Sequence, residues 1–232
     1  MEEAEERRMS DARSQILGSV RRALKRDALP ADRVAALEAR MGNPSPNLIP
    51  ARSQGDAKTV LELFVTMAGN VAVSFTRVAS AREVPGAVAD YLAAQNLPAA
   101  FAMAPDPELD EIPWSERPTL TIHRGKTEGQ HLVGVTGAFA AIAETGTLMM
   151  ASGPAHPTTL NFLPDTHVVV LPAGKVVGPY EDAWNRLRAG RDGTLPRTVN
   201  FITGPSRTGD IEQRILMGAH GPRRLHVVLI EG

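Results

Sequence analysis

The sequence predicts an α/β fold, a mostly parallel sheet covered by helices, behind an N-terminal helical extension. From residue 56 onward, helix-period segments alternate with short apolar runs, the rhythm that builds largely parallel sheets. Residues 1–55 lack that rhythm and end in a proline-rich connector. Two stretches, 135–150 and 201–225, set glycine, proline and hydroxyl residues directly against apolar strands. In open α/β sheets such junctions are where ligands sit, because strand ends and helix N-termini converge there.

In chain order, Ser10 is an N-cap candidate for a first amphipathic helix with Ile16, Leu17, Val20 and Leu24 at helical spacing. A second helix carries Val34, Leu37 and Met41, and residues 42–55, with three prolines and two glycines, read as an extended connector. The predicted domains are therefore 1–55, extension and linker, and 56–232, the α/β domain. A helix over 56–68 precedes a strand at 71–78, and Ser80 caps a helix bearing Val84, Val88, Tyr91 and Leu92. Strands follow at 99–103 and 119–123, separated by a polar loop over 105–118. After the first glycine-rich element come strands at 147–151 and 168–171, with a loop over 152–165 between them. A helix at 180–189, a strand at 199–202, the second glycine-rich element, a helix over 208–217 and a strand at 225–230 complete the chain.

Composition narrows the function. With 25 basic against 26 acidic residues and 4% aromatics, neither a basic groove nor a stacking surface for nucleic acid is present. There is no cysteine, which removes disulfides, thiolate nucleophiles and Cys-ligated iron–sulfur clusters together. The N-terminus alternates acids and bases without the apolar core of a secretory signal, and no apolar run of membrane-spanning length follows. A cytoplasmic protein is the expectation. The six histidines fall in neither HxH nor HExxH spacing, so no metal site is predicted.

No G-x-G pair occurs, which excludes the dinucleotide fingerprint. Gly204 to Gly209 has P-loop spacing, but Asp210 occupies the lysine position and would repel a phosphate; Thr208 likewise replaces the final glycine of a nucleophile elbow. What remains is a turn at Gly204 and Pro205, with Ser206 or Thr208 capping a helix whose first turn carries Asp210 and Glu212. Arg207 beside that helix N-terminus could receive a carboxylate or phosphate, or the turn is a cap alone. Glu144, ahead of Thr145, Gly146 and Thr147, has the same two readings: local capping, or a desolvated acid, base or nucleophile. His220, between Gly218 and Gly221, is either a turn histidine or an acid–base group, and His156 is a lesser candidate of the same kind.

The segments IAETGTL at 142–148, GPSRTGDIE at 204–212 and GAHGPR at 218–223 occur in one order. Together they resemble the lactate-utilization protein C (LutC/YkgG) family, built on the LUD domain. Gly209 and Ala219 depart from the alanine and valine expected there. The resemblance covers residues 56–232 and implies a fold similar to the sugar-phosphate isomerase and CoA-transferase-like (NagB/RpiA) superfamily. It implies a role in oxidising L-lactate to pyruvate alongside iron–sulfur partner proteins, with no cofactor bound by this chain. Lactate oxidation releases two electrons, and a chain with neither cysteine ligands nor a Rossmann fingerprint is not expected to suffice alone. Two alternatives stay open: a stand-alone transferase or isomerase using Glu144, and a non-catalytic module that binds a small carboxylate.

Overall fold

The computed structural model describes residues 2–25, 28–190, 194–211, 214–218 and 220–232; for 2–10, 208–211 and 214–216 it describes the backbone alone. The chain divides into two compact units, Met1–Pro46 and Asn47–Gly232. Residues 47–55, read from sequence as linker, belong to the second. The first unit holds α1 (Glu2–Leu24) and α2 (Ala31–Gly42). Ser10, the expected N-cap, lies inside α1, because the Glu, Ala, Arg and Met residues before it are themselves strong helix formers. Ile16, Leu17, Val20 and Leu24 of α1 are exposed, and α2 buries no residue.

The second unit begins with α3 (Ala57–Asn70), started by Asp56, whose carboxylate accepts the Thr59 N–H at 2.7 Å. Its buried residues Val60, Phe64 and Ala68 recur every four positions and so form one stripe. Then come β1 (Ser74–Val78), α4 (Val84–Ala94), β2 (Ala100–Met103), α5 (Pro107–Asp110), β3 (Thr121–Arg124) and β4 (Val133–Gly137). They are followed by β5 (Ala140–Ile142), β6 (Thr147–Ala151), α6 (Thr159–Phe162), β7 (Thr166–Pro172), β8 (Val176–Val177) and α7 (Tyr180–Ala189). The chain closes with β9 (Val199–Ile202), β10 (Arg207–Ile211), β11 (Arg214–Met217) and β12 (Arg224–Ile230).

Six strands form one sheet in the order β1-β12-β7-β4-β2-β3, and every pairing in it is parallel. The uninterrupted apolar runs of β7 and β12 suit strands covered on both faces. On one face Val168, Val170, Val228 and Ile230 pack with Val84, Val88 and Leu92 of α4. On the other, Val169, Leu171, Val227 and Leu229 meet Phe64 and Ala68 of α3 and residues of a second sheet, including Leu148 and Met150. That second sheet, β8-β5-β6-β9, mixes parallel and antiparallel pairs and buries its outer face, Ile142 and Met149, under Ala183 and Leu187 of α7. The domain is thus layered: α4, parallel sheet, α3 beside the small sheet, α7. Among the described residues no helix is long and apolar enough to cross a membrane.

Candidate functional site

In the parallel sheet, β2 leads outward to β3, whereas β4 leads the opposite way to β7. The carboxyl ends of β2 and β4 therefore flank a topological switch point, the crevice where open α/β sheets accept ligands. A cavity of about 120 Å³ opens there, lined by residues that include Asp106, Glu108, Thr136, Gly137, His156 and Lys175. Asp106 follows β2 and caps α5, its Oδ1 accepting the Glu108 N–H at 3.0 Å. It is only 3% exposed. Its Oδ2 is buried and has no hydrogen-bond partner among the described residues. His156 Nδ1 lies 3.6 Å from that oxygen, outside hydrogen-bond range. Lys175, just after β7, donates to the Ala138 carbonyl at 3.1 Å and pairs with Glu108 at 2.5 Å.

The elements singled out from the sequence lie elsewhere. Glu144 follows β5, and its Oε2 accepts the Tyr180 N–H at 3.4 Å, at the amino end of α7. Its backbone N–H donates to the Gly178 carbonyl at 3.0 Å. Glu144 thus bonds to the start of α7 rather than within its own turn. Thr145 Oγ1 lies 2.7 Å from Thr147 Oγ1 and 2.8 Å from the Tyr180 hydroxyl, and Thr147 Oγ1 lies 2.7 Å from Thr203 Oγ1. Gly146 has φ +69°, and a Cβ there would collide with the Ala68 backbone; Gly204 has φ +85°, and a Cβ there would collide with the Val71 carbonyl. Both glycines therefore seat their turns against the carboxyl end of α3.

The helix expected over 208–217 is absent. Arg207–Ile211 and Arg214–Met217 are instead antiparallel strands, β10 against β11, with Arg207 opposite Met217 and Thr208 opposite Leu216. Thr208, Ile211 and Ile215 are β-branched and Gly209 disfavours a helix, so local preference goes with strands. The anion site at a helix N-terminus loses its helix, and Arg207, which opens β10, is exposed. The Thr208 and Asp210 side chains, and Glu212 entirely, lie outside the described residues.

A second cavity, of about 200 Å³, is lined by Thr203, Gly204, Ser206, His220 and Pro222 together with Asn161, Phe162, His167, Phe201 and Leu225. The Ser206 N–H donates to the Pro222 carbonyl at 2.8 Å and its carbonyl accepts the Gly218 N–H at 2.9 Å, tying the two loops together. Ser206 and His220 thus share a pocket, whereas Glu144 and Arg207 line neither cavity. Asn161 lines both. Between them, Thr136 Oγ1 lies 2.8 Å from Nε2 of the fully buried His167. Asp106 and Lys175 escaped the sequence reading; the available signal was an acid three residues beyond the strand read at 99–103.

The LUD domain family profile matches residues 61–230. A lactate utilization protein C from an Exiguobacterium species is 37% identical over 100 residues, covering 42% of this chain and 44% of that protein. The protein of the same description from Halalkalibacterium halodurans is 32% identical over 115 residues, covering 45% of this chain and 50% of that protein. The match thus spans no more than half the length of either curated relative. The crystal structure of a DUF162 family protein from Deinococcus radiodurans aligns with a TM-score of 0.55 at 24% identity, over 76% of this chain and 99% of that one, a likeness of fold.

Proposed function

The chain belongs to the LUD domain family, and on that premise we propose that it acts in lactate utilization as one component of an L-lactate-oxidising system. Relatives described as lactate utilization protein C support the process. The composition supports the division of labour: a chain without cysteine has no ligands for iron–sulfur clusters, so partner proteins carry the electrons.

One observation carries the reading to a place on the molecule. Of the three segments that bear the family resemblance, the first meets Thr203, the residue just before the second, through the Thr147–Thr203 hydroxyl contact, and the second and third are joined by the Ser206 backbone bonds. Ser206 and His220, from the second and third of these segments, line one pocket together with Thr203. We take that pocket as the working surface of this chain within the system, with Ser206 and His220 as its polar groups.

Reconstitution of lactate oxidation from separated components tests the role. Omitting this chain should abolish lactate-dependent electron transfer, and His220→Ala or Ser206→Ala should lower the rate at least tenfold while leaving the fold intact. An unchanged rate on omission would overturn the role; an unchanged rate in both variants would overturn the assignment of the pocket.

A further inference from the structure

The cavity at the switch point shares Asn161 alone with the pocket that holds Ser206 and His220, and nothing in that reading accounts for it. Its distinguishing group is Asp106. A carboxylate oxygen held away from water without a hydrogen bond costs free energy that folded proteins avoid unless something else supplies the partner. The fold goes to some length to keep it there. A Cβ on Gly137 would stand 2.7 Å from Asp106 Oδ2, so the end of β4 must be glycine for the carboxylate to occupy its place. The other oxygen is fixed by the cap of α5. Oδ2 is therefore a positioned, desolvated acceptor on a residue that lines the cavity.

Lys175 supplies the opposite polarity. Its ammonium is held by the Ala138 carbonyl and by Glu108, whose side chain is 56% exposed. Glu108 can turn out to solvent at little cost and leave the ammonium to another acid, since exposed ion pairs contribute little. The cavity thus offers an acceptor for a hydrogen-bond donor and a cation for an acid group. Its volume of about 120 Å³ is a little below the roughly 150 Å³ that holds benzene. That admits a molecule of about six non-hydrogen atoms.

We propose that the Asp106–Lys175 cavity binds a three-carbon acid carrying a hydrogen-bond donor on the carbon next to the carboxylate. The donor, a hydroxyl or an ammonium, meets Asp106 Oδ2, and the carboxylate meets Lys175. His156 Nδ1 stands 3.6 Å from the same oxygen and lines the same cavity. The choice of three-carbon probes rests on the lactate-utilization reading; the donor requirement rests on the cavity alone.

Calorimetric titration of the full chain with L-lactate, L-alanine and pyruvate tests it. Pyruvate has the acid group and the size but no donor. Lactate or alanine should bind at least tenfold tighter than pyruvate, and the stronger of the two identifies the source of the donor. Asp106→Asn keeps the cap of α5 and should erase the preference over pyruvate. Lys175→Met should weaken every acid that binds by at least tenfold. Equal binding of all three acids, no binding of any at millimolar concentration, or a preference that survives in Asp106→Asn would overturn the proposal. Omission of the chain from the reconstituted system reports separately on the role: if the chain is required but no acid binds, the cavity assignment falls and the role stands, and the converse result separates them the other way.

Discussion

His167 and His226 are both pushed down to about 4 by burial. His226 rests its ring on Tyr91 at 3.8 Å and places Nδ1 and Nε2 beside the hydroxyls of Ser74 and Thr76. Between pH 6.5 and about 4 the unfolded chain takes up a proton at each site that the folded chain refuses, so acidification favours unfolding. Their stability contribution is intact above about pH 6.5 and is lost progressively as pH falls toward 4. At pH 4.5 the loss should be about 2 to 3 kcal/mol for the fully buried His167. Urea unfolding at pH 7.5 and 4.5, for wild type and His167→Gln, should show the smaller pH dependence in the variant. Glu144 makes a different prediction. Its carboxylate accepts one N–H at the start of α7, so Glu144→Gln should cost no more than about 1 kcal/mol and leave the reconstituted rate unchanged. A collapse of rate with normal stability would restore Glu144 as a chemical group. At this scale the sequence marked Gly146 and Gly204 as special, but their reason was illegible. Both answer to α3, a helix about eighty or more residues earlier, and no local pattern reports such an approach. The pairing of Asp106 with Lys175 was illegible for the same cause, since it depends on β2, β4 and β7 lying side by side.

At the scale of elements, the core was readable wherever hydrophobic period and capping agreed. α3, with Asp56 before a stripe of Val60, Phe64 and Ala68, and α7, with acids in its first turn and arginines in its last, follow that agreement. Residues 207–217 did not follow, because polar residues near a hydroxyl turn resemble a capped helix while Thr208, Gly209, Ile211 and Ile215 favour strands. The small sheet was only partly legible, since β8 has two residues and β5 three, too few for a period to show. Gly146→Ala should destabilise the domain by about 3 kcal/mol, combining a left-handed backbone with a clash against α3. Thermal unfolding measures it directly, and a variant as stable as wild type would mean the turn does not bear on the helix. Among the described residues β10 and β11 pair with each other and with no other strand. Replacing Thr208–Leu216 with a two-residue glycine link should therefore move the thermal midpoint by only a few degrees while lowering the reconstituted rate.

For the whole molecule, every residue of the three hydrophobic clusters lies beyond residue 46. A chain comprising Asn47–Gly232 should unfold in one cooperative transition, detectable as coincident circular dichroism and fluorescence curves. Two separated transitions would show that the layers are not one folding unit. The α/β class and the alternation of elements were legible from residue 56 onward. Strand order was not, because it is set by which crossovers pass over which strands.

That order has a consequence for how the protein is made. β12 is the final strand in the sequence, yet it lies between β1 and β7, bonded to both along its length. While the ribosome is still translating residues 224–230, β1 has no strand neighbour and the apolar strand β7, paired only with β4, presents an open edge. Completion of the sheet must wait for those seven residues to be released. A premature stop at residue 224 would thus remove the seam that joins β1 to β7, and the product should be cleared as misfolded chain.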